Sequence, residues 1–411
     1  MASCAVTLEL FLVFVWVAHA NFNLNLLVTT EVRGAVFPVN KYKVPCSHQD
    51  WTSRPCKCYG GAARRQTVLS QAQATSSTIA IDMGSHFFGS GNFYPVFGVN
   101  NSASMFAGVG YNAFSLGYKD LIAVDLDVKN STTTIDPSGT KVLAEFISHA
   151  RTFDASLPAA VVTNIDLTGD PYLNSSHVSP YTIVSLPNNK RMAVLSLVDP
   201  SDMPAAFAHR ILPYEQRLQV TLENLRRLPE GVPDVVVVTF AHFRLSEKKW
   251  LWQESSLDDC KYQNESFQHQ RNQDVQELKT LFAKIIGVDI VIYRDWSDHS
   301  EVSTIKNWNN EDVLFVSLVA SHGTVIDQVT ALFNESGLLV NADHHQIDLK
   351  CEAEGGVAEH AAVSTTLAEY YRQLETKQRK VYGYLKEEAM FAKVAPVVSE
   401  SCAGQGVSTI N

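Results

Sequence analysis

The sequence predicts a layered α/β domain in which helices cover a largely buried sheet, and two patterns predict it. Short apolar runs rich in β-branched residues recur along the chain, and stretches with three-to-four apolar spacing lie between them. With 411 residues, 45% of them hydrophobic and 18% charged, the chain has enough apolar material to bury a core of that kind.

Taken in order, the runs at 24–30 (LNLLVTT), 77–82 (STIAID), 121–127 (LIAVDLD), 159–165 (AAVVTNI), 191–198 (RMAVLSLV), 233–241 (PDVVVVTFA), 288–293 (VDIVIY) and 313–320 (VLFVSLVA) are expected as buried strands. The stretches at 139–150, 214–228 and 273–287 are expected as amphipathic helices, with Gly287 closing the last as a C′ glycine. The polar region 247–272 is expected as a long surface excursion. Residues 364–385 are expected as one long helix, followed by a loose tail.

The N-terminus carries a targeting pattern. Leu10 to Ala18 is an apolar run of h-region length, and Ala18-His19-Ala20 has the small-x-small form that signal peptidase cuts after. The run is too short to span a bilayer, so residues 1–20 are expected to be a signal peptide and the mature chain to lack a membrane anchor. The remaining Cys46, Cys56, Cys58, Cys260, Cys351 and Cys402 suit disulfides in an oxidising compartment, with the connectivity left open. Cys56 and Cys58 are too close for a zinc knuckle. Sequons at Asn100, Asn130, Asn174, Asn264 and Asn334 add the expectation of a secreted glycoprotein. A net charge of −10 argues against a nucleic-acid partner.

In α/β sheets, ligand sites form at the carboxyl ends of strands. The residues just past or beside the runs are therefore the candidates: Glu31 and Arg33, Ser85 and His86, Gly117 to Asp120, Asn164, His242, and Arg294 to His299. Their order resembles the N-terminal metallophosphoesterase domain of the 5′-nucleotidase family, whose blocks run D-x-H-G, G-G-x-A-R, D-x-G-D, G-N-H-[ED], a lone His, and G-H-x-H. Here TTEVRG (29–34), YGGAARR (59–65), IDMGSHFFGS (81–90), YNAFSLGYKDL (111–121), VVTFAHF (237–243) and VDIVIYRDWSD (288–298) stand in those places.

The resemblance implies a calcineurin-like layered β-sandwich flanked by helices over 21–350, with 351–411 as a connector-like helix and tail. It also implies a two-metal hydrolytic centre, which activates water and clamps a phosphoryl group between cations bridged by a carboxylate. Carried over residue by residue, the ligand positions hold Glu31, Arg33, Ser85, Tyr118, His242, Asp295 and Ser297, and the position of the transition-state histidine holds Lys119. Asp82, Gly84 and Gly89 keep the family's loop pattern. A neutral hydroxyl at Ser85 cannot bridge two cations, and Arg33 and Lys119 bring fixed positive charge to the place where cations should sit. The two-metal centre, and any cofactor, is therefore expected to be lost. Arg33 is expected to pair with Glu31 or Asp295; the alternative is that the basic residues leave a pocket for an anion such as phosphate.

Two other histidine features read as structural. His242 fits a hydrogen-bonded core histidine, and His344 and His345 in NADHHQ are expected in a surface turn, because adjacent side chains diverge. The domain that stacks the nucleotide base in the family is expected to be missing past the 364–385 helix, which leaves specificity for nucleotides open. Two functions remain. One is a secreted binding or scaffolding module with an extracellular partner or a phosphoester-like ligand. The other is a divergent phosphohydrolase, acting on extracellular nucleotides or other phosphoesters, that holds a single divalent metal on Glu31, His242 and Asp295.

Overall fold

In a computed structural model, the described residues are 21–41, 45–75, 78–86, 93–117, 120, 124–127, 132–135, 140–198, 210–240, 272–295, 300–319, 321 and 323–383. Two sheets pack face to face. The first comprises β1 (Phe22–Thr29), β2 (Thr78–Asp82), β3 (Ala113–Phe114), β14 (Val325–Phe333) and β15 (Leu339–Asp348), in the order β15-β14-β1-β2-β3. The second comprises β8 (Tyr181–Ser185), β9 (Arg191–Leu197), β10 (Val235–Phe240), β11 (Ile290–Asp295), β12 (Glu301–Lys306) and β13 (Asp312–Val319), in the order β12-β13-β11-β10-β9-β8. The strands from β1 to β3 run parallel, as do β9, β10, β11 and β13. Their carboxyl ends therefore gather at one end of the sandwich.

The period-2 alternation of a strand separates the layers. Leu26, Val28 and Ile81 face Val237, Ile292 and Val316 between the sheets. A short helix, α1 (His48–Thr52), follows β1 in the chain. Leu27 and Ala80 point away from the second sheet, under α2 (Ala62–Thr75), α3 (Phe93–Ala107) and α4 (Thr140–Phe153). On the far side, Leu195, Val238 and Val291 pack against Leu218, Leu222 and Leu225 of α5 (Tyr214–Arg226), and against Leu278 and Phe282 of α6 (272–283). The result is the layered sandwich flanked by helices.

Several sequence expectations need correcting. The run at 159–165 contributes only β6 (Ala160–Val161), paired with β7 (Val178–Ser179), because Asn164 turns the chain away. Its buried amide bonds Val198 N, Val198 O and Leu212 O. The run at 121–127 yields β4 (Val124–Asp127), which pairs with β5 (Thr132–Ile135) outside both main sheets; residues 121–123 lie outside the described residues. Helix α6 ends at 283, so Gly287, at φ 90°, lies beyond it and does not cap it. His344 and His345 are in β15 and not in a turn; His344 Nε2 lies 2.8 Å from Asp327 Oδ1, while His345 is exposed. The C-terminal helix, α7 (Ala361–Gly383), begins three residues earlier than expected.

Cysteines pair as Cys46–Cys58 and Cys56–Cys351, with Cα separations of 5.9 and 6.3 Å. Cys260, Cys402, Asn130, Asn264 and Gly89 lie outside the described residues, as do 384–411 and most of the 247–272 excursion. Asn100 and Asn174 are exposed, and Asn334 is half-buried. No helix among the described residues is long and apolar enough to cross a membrane.

Candidate functional site

The described residues that follow β1, β2 and β3 converge with Arg294, near the end of β11, where the two sheets meet. Thr30 Oγ1 donates to Val319 O across that junction. Arg33 N donates to Ser85 O (2.8 Å) and Gly34 N to His86 O (2.6 Å), so the β1 and β2 loops lie side by side. Three non-glycine residues here adopt left-handed backbone: Glu31 at φ 47°, Arg33 at 49° and Ser85 at 55°. Such conformations are disfavoured by Cβ contacts and persist where surrounding bonds impose them.

Two carboxylates impose this one. Asp120 accepts three backbone amides, from Ser85 (2.6 Å), His86 (2.7 Å) and Gly117 (3.0 Å). Asp82, fully buried, accepts Thr29 Oγ1 at 2.6 Å and Gly84 N at 2.9 Å, and faces His86 Nδ1 at 3.3 Å. Behind them lies Arg65, also fully buried, which donates to Ala35 O and hydrogen-bonds the Tyr111 hydroxyl. Burial lowers the Arg65 and His86 pKa values and, with the Asp82 charge, raises that of Tyr111. Gly84 and Gly117 are in contact: a Cβ on Gly84 would stand 2.2 Å from Gly117 N. These bonds fix the loop scaffold and occupy its carboxylates.

Glu31, which the sequence resemblance sets at the first metal-ligand position, is 3% exposed and its carboxylate is engaged on both sides. Arg33 takes one oxygen and Arg294, from β11, takes the other. A sequence reading based on family motifs passes over Arg294, because the motif position is the next residue, Asp295. Asp120, the acidic residue that ends the fourth block, and Arg294 are both among the strand-end candidates but without an assigned role, whereas Arg65 and Tyr111 are missed.

The remaining predicted positions are not assembled by what the structure describes. Asp295 ends β11, with its backbone paired to Val319, and its side chain is not described. Tyr118, Lys119, His242 and Ser297 lie outside the described residues. Among the described residues, no group of three or more His, Cys, Asp or Glu side chains is placed to hold a metal ion. The donor set itself fits a divalent ion poorly. Two guanidinium groups engage its one described carboxylate, and at an effective dielectric of about 20 a divalent cation ~4 Å from one guanidinium is repelled by about 8 kcal/mol.

No family model and no curated protein matches the sequence. Solved structures do match in fold. The 5′-nucleotidase precursor of Thermus thermophilus aligns with a TM-score of 0.58 at 19% identity, over 86% of this chain and 59% of that one. The NAD nucleotidase of Haemophilus influenzae aligns at 0.53 and 12% identity, over 90% and 60%. A calcineurin-like phosphoesterase of Bacillus subtilis aligns at 0.51 and 14% identity, over 89% of this chain and 100% of that one. The chain thus spans about three-fifths of the length of the two nucleotidases. Two facing sheets with loops gathered at their carboxyl ends, and these alignments, give the chain the metallophosphoesterase fold of 5′-nucleotidases and calcineurin-like phosphoesterases.

Proposed function

We propose that this chain is a secreted, glycosylated, disulfide-bonded relative of the 5′-nucleotidases that has lost its two-metal centre and acts by binding an extracellular partner or a phosphoester-like ligand. The observation that carries this reading is the clasp of Glu31 between Arg33 and Arg294. It neutralises the carboxylate at the first ligand position and sets fixed cations where the family places its metal. Ser85 at the bridging position supports it, since a hydroxyl offers neither the charge nor the second oxygen that a bridge requires. Arg33, whose side chain is 17% exposed, is the member of the clasp that an incoming anion would meet first. The two disulfide pairs and the exposed sequons Asn100 and Asn174 support an extracellular setting.

Metal analysis of the purified mature protein tests this. The expected result is substoichiometric zinc, manganese and iron, and no hydrolysis of nucleoside monophosphates or aryl phosphates with any of these ions added. Stoichiometric metal, with phosphoesterase activity abolished by His242→Ala, would establish the single-metal phosphohydrolase instead.

A further inference from the structure

A second cleft lies away from the Glu31 site. It is open, has a volume of about 1030 Å³, and is lined by Trp51, Arg54, Arg64, Glu354 and both cysteines of the Cys56–Cys351 pair. The two sulfurs have unequal surroundings. Cys56 is half-buried at the cleft wall, whereas Cys351 is 6% exposed. Arg64 Nη2 lies 3.9 Å from Cys351 Sγ. Arg64 is 2% exposed, lies 5.2 Å from the Trp51 ring centre, and donates to Gly60 O, so its guanidinium is fixed beside that sulfur. Its carboxylate partner, Glu359, is 3.2 Å away.

We infer that Cys56–Cys351 is a reactive disulfide that exchanges with low-molecular-weight thiols, with Cys56 as the attacked sulfur and Cys351 as the leaving thiolate. In the exchange, an incoming thiolate gives its electron pair to Cys56 Sγ and the S–S bond pair departs on Cys351 Sγ. The product is a mixed disulfide on Cys56, with no net oxidation. A fixed cation beside the departing sulfur lowers its proton affinity, and a more acidic leaving thiol departs faster. Once protonated, the Cys351 thiol has an acceptor in Cys58 O at 3.3 Å. The Cys46–Cys58 pair offers no such entry, since Cys46 is 6% exposed and Cys58 fully buried. The cleft is large enough for a tripeptide thiol.

Opening this pair does not by itself release the chain that follows Cys351. His360 N still donates to Ala63 O at 3.2 Å and Tyr370 to Asn101 Oδ1 at 2.7 Å, and the rings of Tyr371 and Phe37 are in contact. The site is therefore a place of reversible modification on an intact fold.

The test is to titrate the full secreted protein with reduced glutathione, quench by alkylation, and map the cysteines by mass spectrometry. Cys56–Cys351 is expected to open before Cys46–Cys58, with the glutathione adduct on Cys56, and Arg64→Gln is expected to slow opening roughly tenfold. Should Arg64→Gln fail to fold, Glu359→Gln removes the competing carboxylate and is expected to accelerate opening. Opening of Cys46–Cys58 at an equal or greater rate, an adduct on Cys351, or a rate indifferent to Arg64 and Glu359 would overturn the inference.

Discussion

Glu31 is a buried carboxylate that two cations engage, so its removal is more costly than the loss of one surface pair. Glu31→Gln would remove the buried carboxylate that Arg33 and Arg294 both engage. Breaking a buried ion pair from one side costs roughly 3–5 kcal/mol, and that loss should appear in the denaturant midpoint of the variant. An unchanged midpoint would mean that water, and not Glu31, compensates the arginines. The same residue shows how far a sequence reading reaches. Glu31, Arg33 and Ser85 can be placed from motif order alone. Arg294 is legible only as a strand-end candidate, because a residue one step off its motif acquires its role from how far its side chain reaches across the site.

At the level of elements, the strands buried on both faces were the legible ones. β2, β9, β10, β11 and β13, and β1 from Leu26 onward, are largely apolar because helices cover one face and the opposite sheet covers the other. β12 and β15 are half-exposed and carry polar residues throughout, so they lack that signal. Helix α2 buries two arginines, Arg64 and Arg65, beside Ala62, Ala63, Thr67, Val68 and Leu69, and α3 is interrupted at Gly98, which has φ 80°; neither shows strong helical periodicity.

The entry to β11 carries its own prediction. Asp289 Oδ2 accepts Val236 N at 2.7 Å, and its backbone bonds both β10 and β13, so it joins three strands. Burial, reinforced by Glu311, raises its carboxyl to about 6, from 3.8. The folded state therefore binds this proton more tightly than the unfolded chain. The stabilisation is complete below pH 3.8 and is lost as pH rises towards about 6. Asp289→Asn keeps an acceptor for Val236 and has no charge to bury. Relative to the wild type it should gain on the order of 2 kcal/mol between pH 4 and 7. Paired urea melts across that range would show the gain, and a constant difference between the two proteins would refute it.

For the whole molecule, the Cys56–Cys351 pair ties the segment after α1 to the chain just past β15 across 295 residues. Closing so long a loop restricts the unfolded chain strongly. The double variant Cys56→Ser with Cys351→Ser should lose roughly 2–5 kcal/mol, and more than the corresponding variant of the 12-residue Cys46–Cys58 loop. Thermal melts of the two double variants decide the order. Equal losses would show that the unfolded chain is already compact near these cysteines.

The strand that ends the first sheet has a consequence for crowded solutions. Among the described residues no strand pairs beyond β15, so its outer row of amides and carbonyls is a template on which a second molecule could add a strand. The sequence along that row is LVNADHHQID, with exposed Asp343 and Asp348. Edge-to-edge addition would bring the negative charges of two molecules together along the new seam, in a protein already at −10. The polar character that hid β15 from a periodicity reading thus also discourages self-assembly at high concentration.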